Sequence, residues 1–279
     1  METFLSFLEK RVDDCSSLLC VGLDPHVSEL KEPSAASALD FCLNLVKQTA
    51  PCAAAFKPNA AFFEVFGADG WIALKQVIEA IHDESNRLGS KIPILLDAKR
   101  GDIASTAEAY AKSAFENLGV DGITLSPYLG KDSIEPFIRD REKGVFLLCK
   151  TSNPGSGDLQ DMPVIRAADQ PPLPLYEYVA RLARQWNAQN NIGLVVGATH
   201  LEALKRVRAA APDLWFLVPG VGAQGGDLAS ALKAGLRKDG KGMLINVSRS
   251  IARSDNPKLA AAEVRDQILN IKREVFGRG

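Results

Sequence analysis

The stretch IPILLDAKRGDIAST, residues 92–106, holds the reading that decides the fold. Ile92, Ile94, Leu95 and Leu96 make a short apolar run. It stops abruptly, and Asp97, Lys99, Arg100 and Asp102 follow within six residues. A short continuous apolar run suits a strand buried on both faces, as parallel strands are. A parallel strand that ends on charges delivers them at its carboxyl end, where folds built on such sheets assemble their sites.

Runs of the same kind recur on both sides, at 18–23, 53–58, 122–126, 144–150, 192–198, 214–220 and 242–248. Between them lie stretches such as ALDFCLNLVKQT (38–49) and LEALKRVRAA (201–210), whose apolar residues fall three and four apart. That spacing predicts amphipathic helices. Eight strands alternating with helices over 279 residues point to an α/β fold, a (β/α)8 TIM barrel, in a single domain spanning 1–279. A doubly wound open sheet is the alternative. Residues 154–174, PGSGDLQDMPVIRAADQPPLP, interrupt the rhythm with five prolines and are expected to form the longest loop. After a fifth strand, such a loop would lie on the carboxyl face of the barrel and could act as a lid.

Composition narrows the function classes. A formal charge of −1 leaves no broad field to recruit nucleic acid or an anionic membrane, so any anion site must be local. The five cysteines are odd in number and scattered without a CxxC pair, which suits thiols in a reducing compartment. His26, His82 and His200 do not stand at metal-ligand spacing, so no metal is expected. The N-terminus lacks the continuous apolar core of a signal peptide, and nowhere do about 18 apolar residues run together. A cytoplasmic location is expected.

Reading what each strand delivers at its end gives the candidate site. The first ends on Asp24, the second on Lys57, the third on Asp97, Lys99 and Asp102, and the fourth on Ser126. The seventh runs into PGVGAQGG, 219–226, and the eighth reaches Arg249. Asp24 before a proline could be only a turn residue, and the DAKRGD segment only a solvated loop of mutual ion pairs. Lys57 amid AAAFKPNAAFF resists such a reading, because a charge among so many apolar residues is rarely buried without a partner. Asp97 and Lys99, two apart on a strand, are expected on one face. Two carboxylates about 4 Å apart repel by about 4 kcal/mol at an effective dielectric of about 20, so clustered acids need interleaved cations. Lys57 and Lys99 can supply them as a fixed field. The glycines of 219–226 allow backbone N–H groups close to an anion, and the Arg249 fork suits phosphate oxygens. A glycine-rich turn after strand seven and an arginine after strand eight match the recurrent phosphate site of such barrels.

These residues resemble the orotidine 5′-phosphate decarboxylase family over nearly the whole chain. DAKRGD is similar to that family's DxKxxD signature, and GLDP (22–25), FKPN (56–59), PGVGAQGG and SRS (248–250) follow in the family's order. The resemblance implies a metal-free and cofactor-free homodimer that converts orotidine 5′-phosphate to UMP and carbon dioxide, with no nucleic-acid or membrane partner. It implies Lys57, Asp97, Lys99 and Asp102 as an alternating catalytic network, with Lys99 as the proton donor to C6. Asp102, with Ile103 and Thr106, would reach into the partner subunit's site. Asp24 and Lys57 would contact the ribose, Ser126 the pyrimidine edge, and Gln224 and Arg249 the phosphate, beside Pro219 and Gly225. The competing readings are a magnesium-dependent hexulose-phosphate synthase or keto-gulonate-phosphate decarboxylase, which share DxKxxD, and a noncatalytic nucleotide-binding barrel. A nicotinamide-dependent oxidoreductase fits poorly, because the glycine-rich turn lies late in the chain and lacks an acidic ribose partner about 20 residues onward.

Overall fold

All eight apolar runs form strands in the computed structural model, which describes residues 2–167, 169–221 and 226–277. They are β1 (Leu19–Leu23), β2 (Ala55–Pro58), β3 (Leu95–Arg100), β4 (Gly122–Leu125), β5 (Gly144–Lys150), β6 (Ile192–Val196), β7 (Trp215–Val218) and β8 (Met243–Val247). Their neighbour order is β2-β1-β8-β7-β6-β5-β4-β3, with every pairing parallel. Bridges from Phe56 to Ile94 and from Asn59 to Asp97 then bring β2 against β3. The ring closes, so the barrel is correct and the open sheet is not.

Packing explains why the runs are so apolar. The strands are covered outside by helices such as Ala35–Thr49, Gly67–Leu88, Leu175–Trp186 and Pro257–Phe276, and inside by one another. The N-terminal helix Phe4–Cys15 is started by Thr3 and Ser6 in a reciprocal capping box. It drives Phe4, fully buried, under the barrel, edge-on to Phe146 at 6.2 Å between ring centroids. Gly144 opens β5 there, where a Cβ would lie 2.0 Å from the Phe4 ring. Only a residue without a side chain permits that approach.

The segment after β5 is more ordered than its prolines suggest. It holds a turn at Pro154–Ser156, a short helix Gly157–Gln160, and a two-stranded hairpin pairing Pro163–Val164 with Leu173–Pro174. None of the five cysteines is in a disulfide; four are buried and Cys15 is half-buried. Among the described residues, no helix is long and apolar enough to cross a membrane.

Candidate active site

The carboxyl ends of the strands surround a cavity of about 460 Å³. Its floor is apolar, from Leu148, Val195 and Leu217. Its wall is charged, because β1, β2 and β3 end beside one another and bring Asp24, Lys57, Asp97 and Lys99 together. Lys57 is 4% exposed and has its ammonium 2.9 Å from Asp97 Oδ2 and 3.9 Å from Asp24 Oδ1. Lys99 reaches the other Asp97 oxygen, Nζ to Oδ1, at 2.6 Å, and its side chain is half exposed to the cavity.

These contacts set the charge states. Burial alone would drive Lys57 toward the neutral amine, but Asp24 and Asp97 outweigh it and hold the ammonium above its ordinary range. Burial likewise pushes the Asp97 carboxyl up, and Lys57 and Lys99 overcome that and hold it well below the usual carboxylate range. Asp97 is therefore an anion at neutral pH, fixed on both oxygens.

The backbone reason for this geometry differs from simple strand alternation. Pairing of β3 with β4 slips between Leu96 and Arg100, and Lys99 sits in the left-handed region at φ +48°. That conformation costs a non-glycine residue roughly 1–2 kcal/mol. The Thr124 hydroxyl on β4 accepts from Ala98 N–H at 3.1 Å and Lys99 N–H at 2.9 Å, and donates to Asp97 Oδ1 at 2.9 Å. One buried side chain thus replaces ladder bonds across the bulge and ties it to the carboxylate. Both Asp97 and Lys99 do face the cavity, by way of a bulge.

The other expected residues divide. Pro219 lines the cavity. Arg249 stands just past β8, half-buried, and opens the short helix Arg249–Ala252. Ser126 follows β4 with its N–H donating to Arg100 O, and it does not line the cavity. Gln224 and Gly225 lie outside the described residues. Asp102, Ile103 and Thr106 are not brought to this cavity. Asp102 folds back to accept from Ile103 N–H at 2.8 Å, Ile103 is 53% exposed, and Thr106 is exposed. Arg100 also leaves the cavity, pairing with Glu64 at 2.7 Å over the Tyr110 ring.

Several lining residues escaped sequence reasoning. Thr124 lay inside an apolar strand, where a threonine carries no signal of its own. Asn246 lies near the end of β8, and its Oδ1, like Asp24 Oδ1, is buried without a hydrogen-bond partner among the described residues. The Asn246 acceptor costs about 1–3 kcal/mol unsatisfied, and both oxygens mark places where a donor on a ligand would be welcome. Asn59, Thr151, Ser152, Asn153 and Gln160 complete the rim. Among the described residues, no three of His, Cys, Asp and Glu come together as metal ligands.

Comparison with known proteins agrees with this architecture. A model described as the orotidine 5′-phosphate decarboxylase / HUMPS family matches residues 17–264. The chain is 50% identical over 260 residues to orotidine 5′-phosphate decarboxylase of Roseiflexus sp. strain RS-1, covering 92% of this chain and 91% of that one. It is similar to the solved structure of Leishmania donovani OMP decarboxylase, with a TM-score of 0.84, 52% identity, and 97% and 99% of the two chains covered. It is similar too to Leishmania donovani UMP synthase, with a TM-score of 0.86 and 54% identity; there 98% of this chain matches 57% of the longer protein.

Proposed function

The chain belongs to the orotidine 5′-phosphate decarboxylase / HUMPS family, and from that membership and the charged cavity we propose how it decarboxylates orotidine 5′-phosphate to UMP. The reaction is the last step of pyrimidine nucleotide synthesis, and the enzyme is a carboxy-lyase. The observation that carries the proposal is the fixed Lys57–Asp97–Lys99 array.

The C6–carboxylate bond breaks, carbon dioxide leaves, and the electron pair stays on C6 of the pyrimidine. That carbanion is poorly delocalised, so the site must favour negative charge at C6 more than on the departing carboxylate. Lys99 Nζ, exposed to the cavity, supplies the positive charge and then the proton, leaving an amine that solvent reprotonates. Asp97, held ionised by its two lysines, faces the substrate carboxylate and disfavours the ground state. Lys57 keeps Asp97 in place. Asp24 Oδ1, which faces the Lys57 ammonium and accepts no hydrogen bond among the described residues, receives a ribose hydroxyl. Arg249 holds the phosphate at the strand-eight corner together with Gln224, Gly225 and Pro219, and Ser126 meets the pyrimidine edge.

Asp102, Ile103 and Thr106 serve the partner subunit's cavity in a homodimer. Support comes from their position outside their own cavity and from the exposed Ile103, Tyr128 and Leu129 around the ends of β3 and β4, apolar surface that a second subunit would cover. Residues 154–174 act as a lid, and the enzyme works in the cytoplasm without metal or cofactor. The magnesium-dependent reading is disfavoured by the donor set: the carboxylates of Asp24 and Asp97 already share the Lys57 ammonium.

The test is the ultraviolet absorbance of protein with orotidine 5′-phosphate, with and without EDTA. Loss of substrate absorbance unaffected by EDTA supports the metal-free decarboxylase. No loss, or loss only with added Mg²⁺, overturns it.

A further inference from the structure

Lys150, the last residue of β5, is a second deeply buried lysine. Its side chain is 3% exposed, and it does not line the cavity. Among the described residues its aromatic neighbour is the Tyr176 ring, with Nζ 5.7 Å from the centroid. Its carboxylate partner is Asp161 at 2.8 Å, on the segment that leaves β5 and returns, and that carboxylate is 53% exposed. One residue inward, a second rung joins the same two arms. Thr151 N–H donates to Gln160 Oε1 at 2.9 Å, and Gln160 Nε2 donates to Thr151 Oγ1 at 2.8 Å. That hydroxyl in turn donates to Asn153 Oδ1 at 2.7 Å.

A buried ammonium without a counter-charge is strongly unfavourable. The barrel therefore needs the returning arm, which docks through this ion pair and the Thr151–Gln160 rung while Leu159 and Met162 flanking it remain exposed. The enclosed turn lies against the end of β6, where Gly197 leaves room and a Cβ would sit 3.0 Å from Ser152 Cβ. Thr151, Ser152, Asn153 and Gln160 then line the cavity together.

We propose that the Lys150–Asp161 ion pair is the latch that holds residues 151–160 against the substrate cavity. Lys150 and Asp161 are positioning residues: they touch no substrate, and they act through Gln160 and Asn153, which reach the cavity. The inference rests on reading that cavity as the substrate site.

Steady-state kinetics with orotidine 5′-phosphate on Asp161→Asn, Lys150→Met and the double variant test it, beside thermal melts and limited proteolysis of the loop with and without UMP. Either single change is expected to raise KM by roughly 10- to 100-fold, with a smaller effect on kcat, since misplacing a positioning segment by about 1 Å costs on that scale. The double variant should be no worse than the poorer single one, because either change opens the same latch. Asp161→Glu should recover most of the loss, and UMP should protect the loop from cleavage far less in the unlatched variants. Lys150→Met removes the buried charge with the tie, so it carries the same expectation if Asp161→Asn does not fold. A lowered melting temperature with KM at the parental value, or single effects that multiply in the double variant, overturns the latch. A parental protein that does not turn over orotidine 5′-phosphate at all refutes the functional reading instead, and proteolysis of the variants still decides the latch.

Discussion

Replacing Thr124 by valine keeps a β-branched residue of nearly the same shape on β4 and removes one oxygen. That oxygen accepts from Ala98 and Lys99 N–H and donates to Asp97 Oδ1. Two backbone donors lose their acceptor at about 1 kcal/mol each, the low end of the range because the bulge adjoins an open cavity, and a hydrogen bond to a charged group is worth about 1.5 kcal/mol more. The expected destabilisation is about 3.5 kcal/mol, or a melting temperature lower by roughly 7–14 °C. Activity should suffer more than stability. Lys99 holds φ +48° against its own preference, and without Thr124 it relaxes away from the bulge. A displacement of about 1 Å at the Lys99 ammonium is expected to lower kcat/KM on the order of 100-fold if Lys99 acts as proposed. Urea unfolding and ultraviolet-monitored turnover of Thr124→Val measure both, with Thr124→Ser as the variant that keeps the hydroxyl and should stay within about threefold of the parent. Thr124→Val with kcat/KM within about threefold of the parent would refute the claim that this hydroxyl sets the bulge.

Three further outcomes follow from the same geometry. Lys99→Ala should abolish turnover while leaving UMP affinity mostly intact, and Lys99→Gly should be equally inactive yet more stable than Lys99→Ala by about 1 kcal/mol, since glycine accepts the left-handed backbone; equal urea midpoints would remove the strain argument. Asp97→Asn should destabilise equally at pH 7 and pH 5, because a carboxyl held low in the folded state contributes its full stability above the ordinary carboxylate pKa of about 3.9 and loses it as pH falls below that; a penalty that grows between pH 7 and pH 5 would show a carboxyl raised rather than held down, since such a group gains stability as pH falls. Mixing inactive Lys99→Ala and Asp102→Ala proteins should restore roughly a quarter of the sites in a random dimer population, since one site of each mixed dimer then carries neither lesion. Absence of any recovery after subunit exchange would place Asp102 in its own chain's site.

The fold was legible because burial leaves a mark in composition. A strand covered on both faces must be apolar throughout, and each of the eight runs became a strand at or within three residues of its expected ends. The charged residues of the cavity were legible for the converse reason: Lys57 and Asp97 stand out against apolar neighbours. Thr124 and Asn246 were not, because uncharged polar side chains on interior strands are common and their aim depends on register. The bulge at Lys99 was hidden as well. Alternation predicted the correct face by a mechanism the chain does not use, since only the pairing of β3 with β4 shows the slip. The ordered turn and hairpin after β5 lay under prolines that read as irregular chain, and their order comes from tertiary ties, Lys150 to Asp161 and Thr151 to Gln160, that no local pattern announces.

The clustering of alternating charges in residues 97–102 has a physical cause beyond the chemistry at C6. An anionic substrate carboxylate brought near Asp97 meets repulsion of about 4 kcal/mol at 4 Å and an effective dielectric of about 20. Without Lys57 and Lys99, Asp97 could escape by taking a proton, and the repulsion would vanish together with any differential effect on the transition state. The two ammoniums close that escape, because they hold Asp97 ionised far below neutral pH. Lys57 in turn stays charged only because Asp24 and Asp97 flank it. Each member is thus stable in its working charge state only while the others are present. Single substitutions at Lys57, Asp97 and Lys99 should therefore be far from additive, with the second lesion in any pair costing much less than the first. Measured losses in kcat/KM that multiply across Lys57→Met and Asp97→Asn would show that the charges act independently, and the array would then be a set of neighbours rather than one unit.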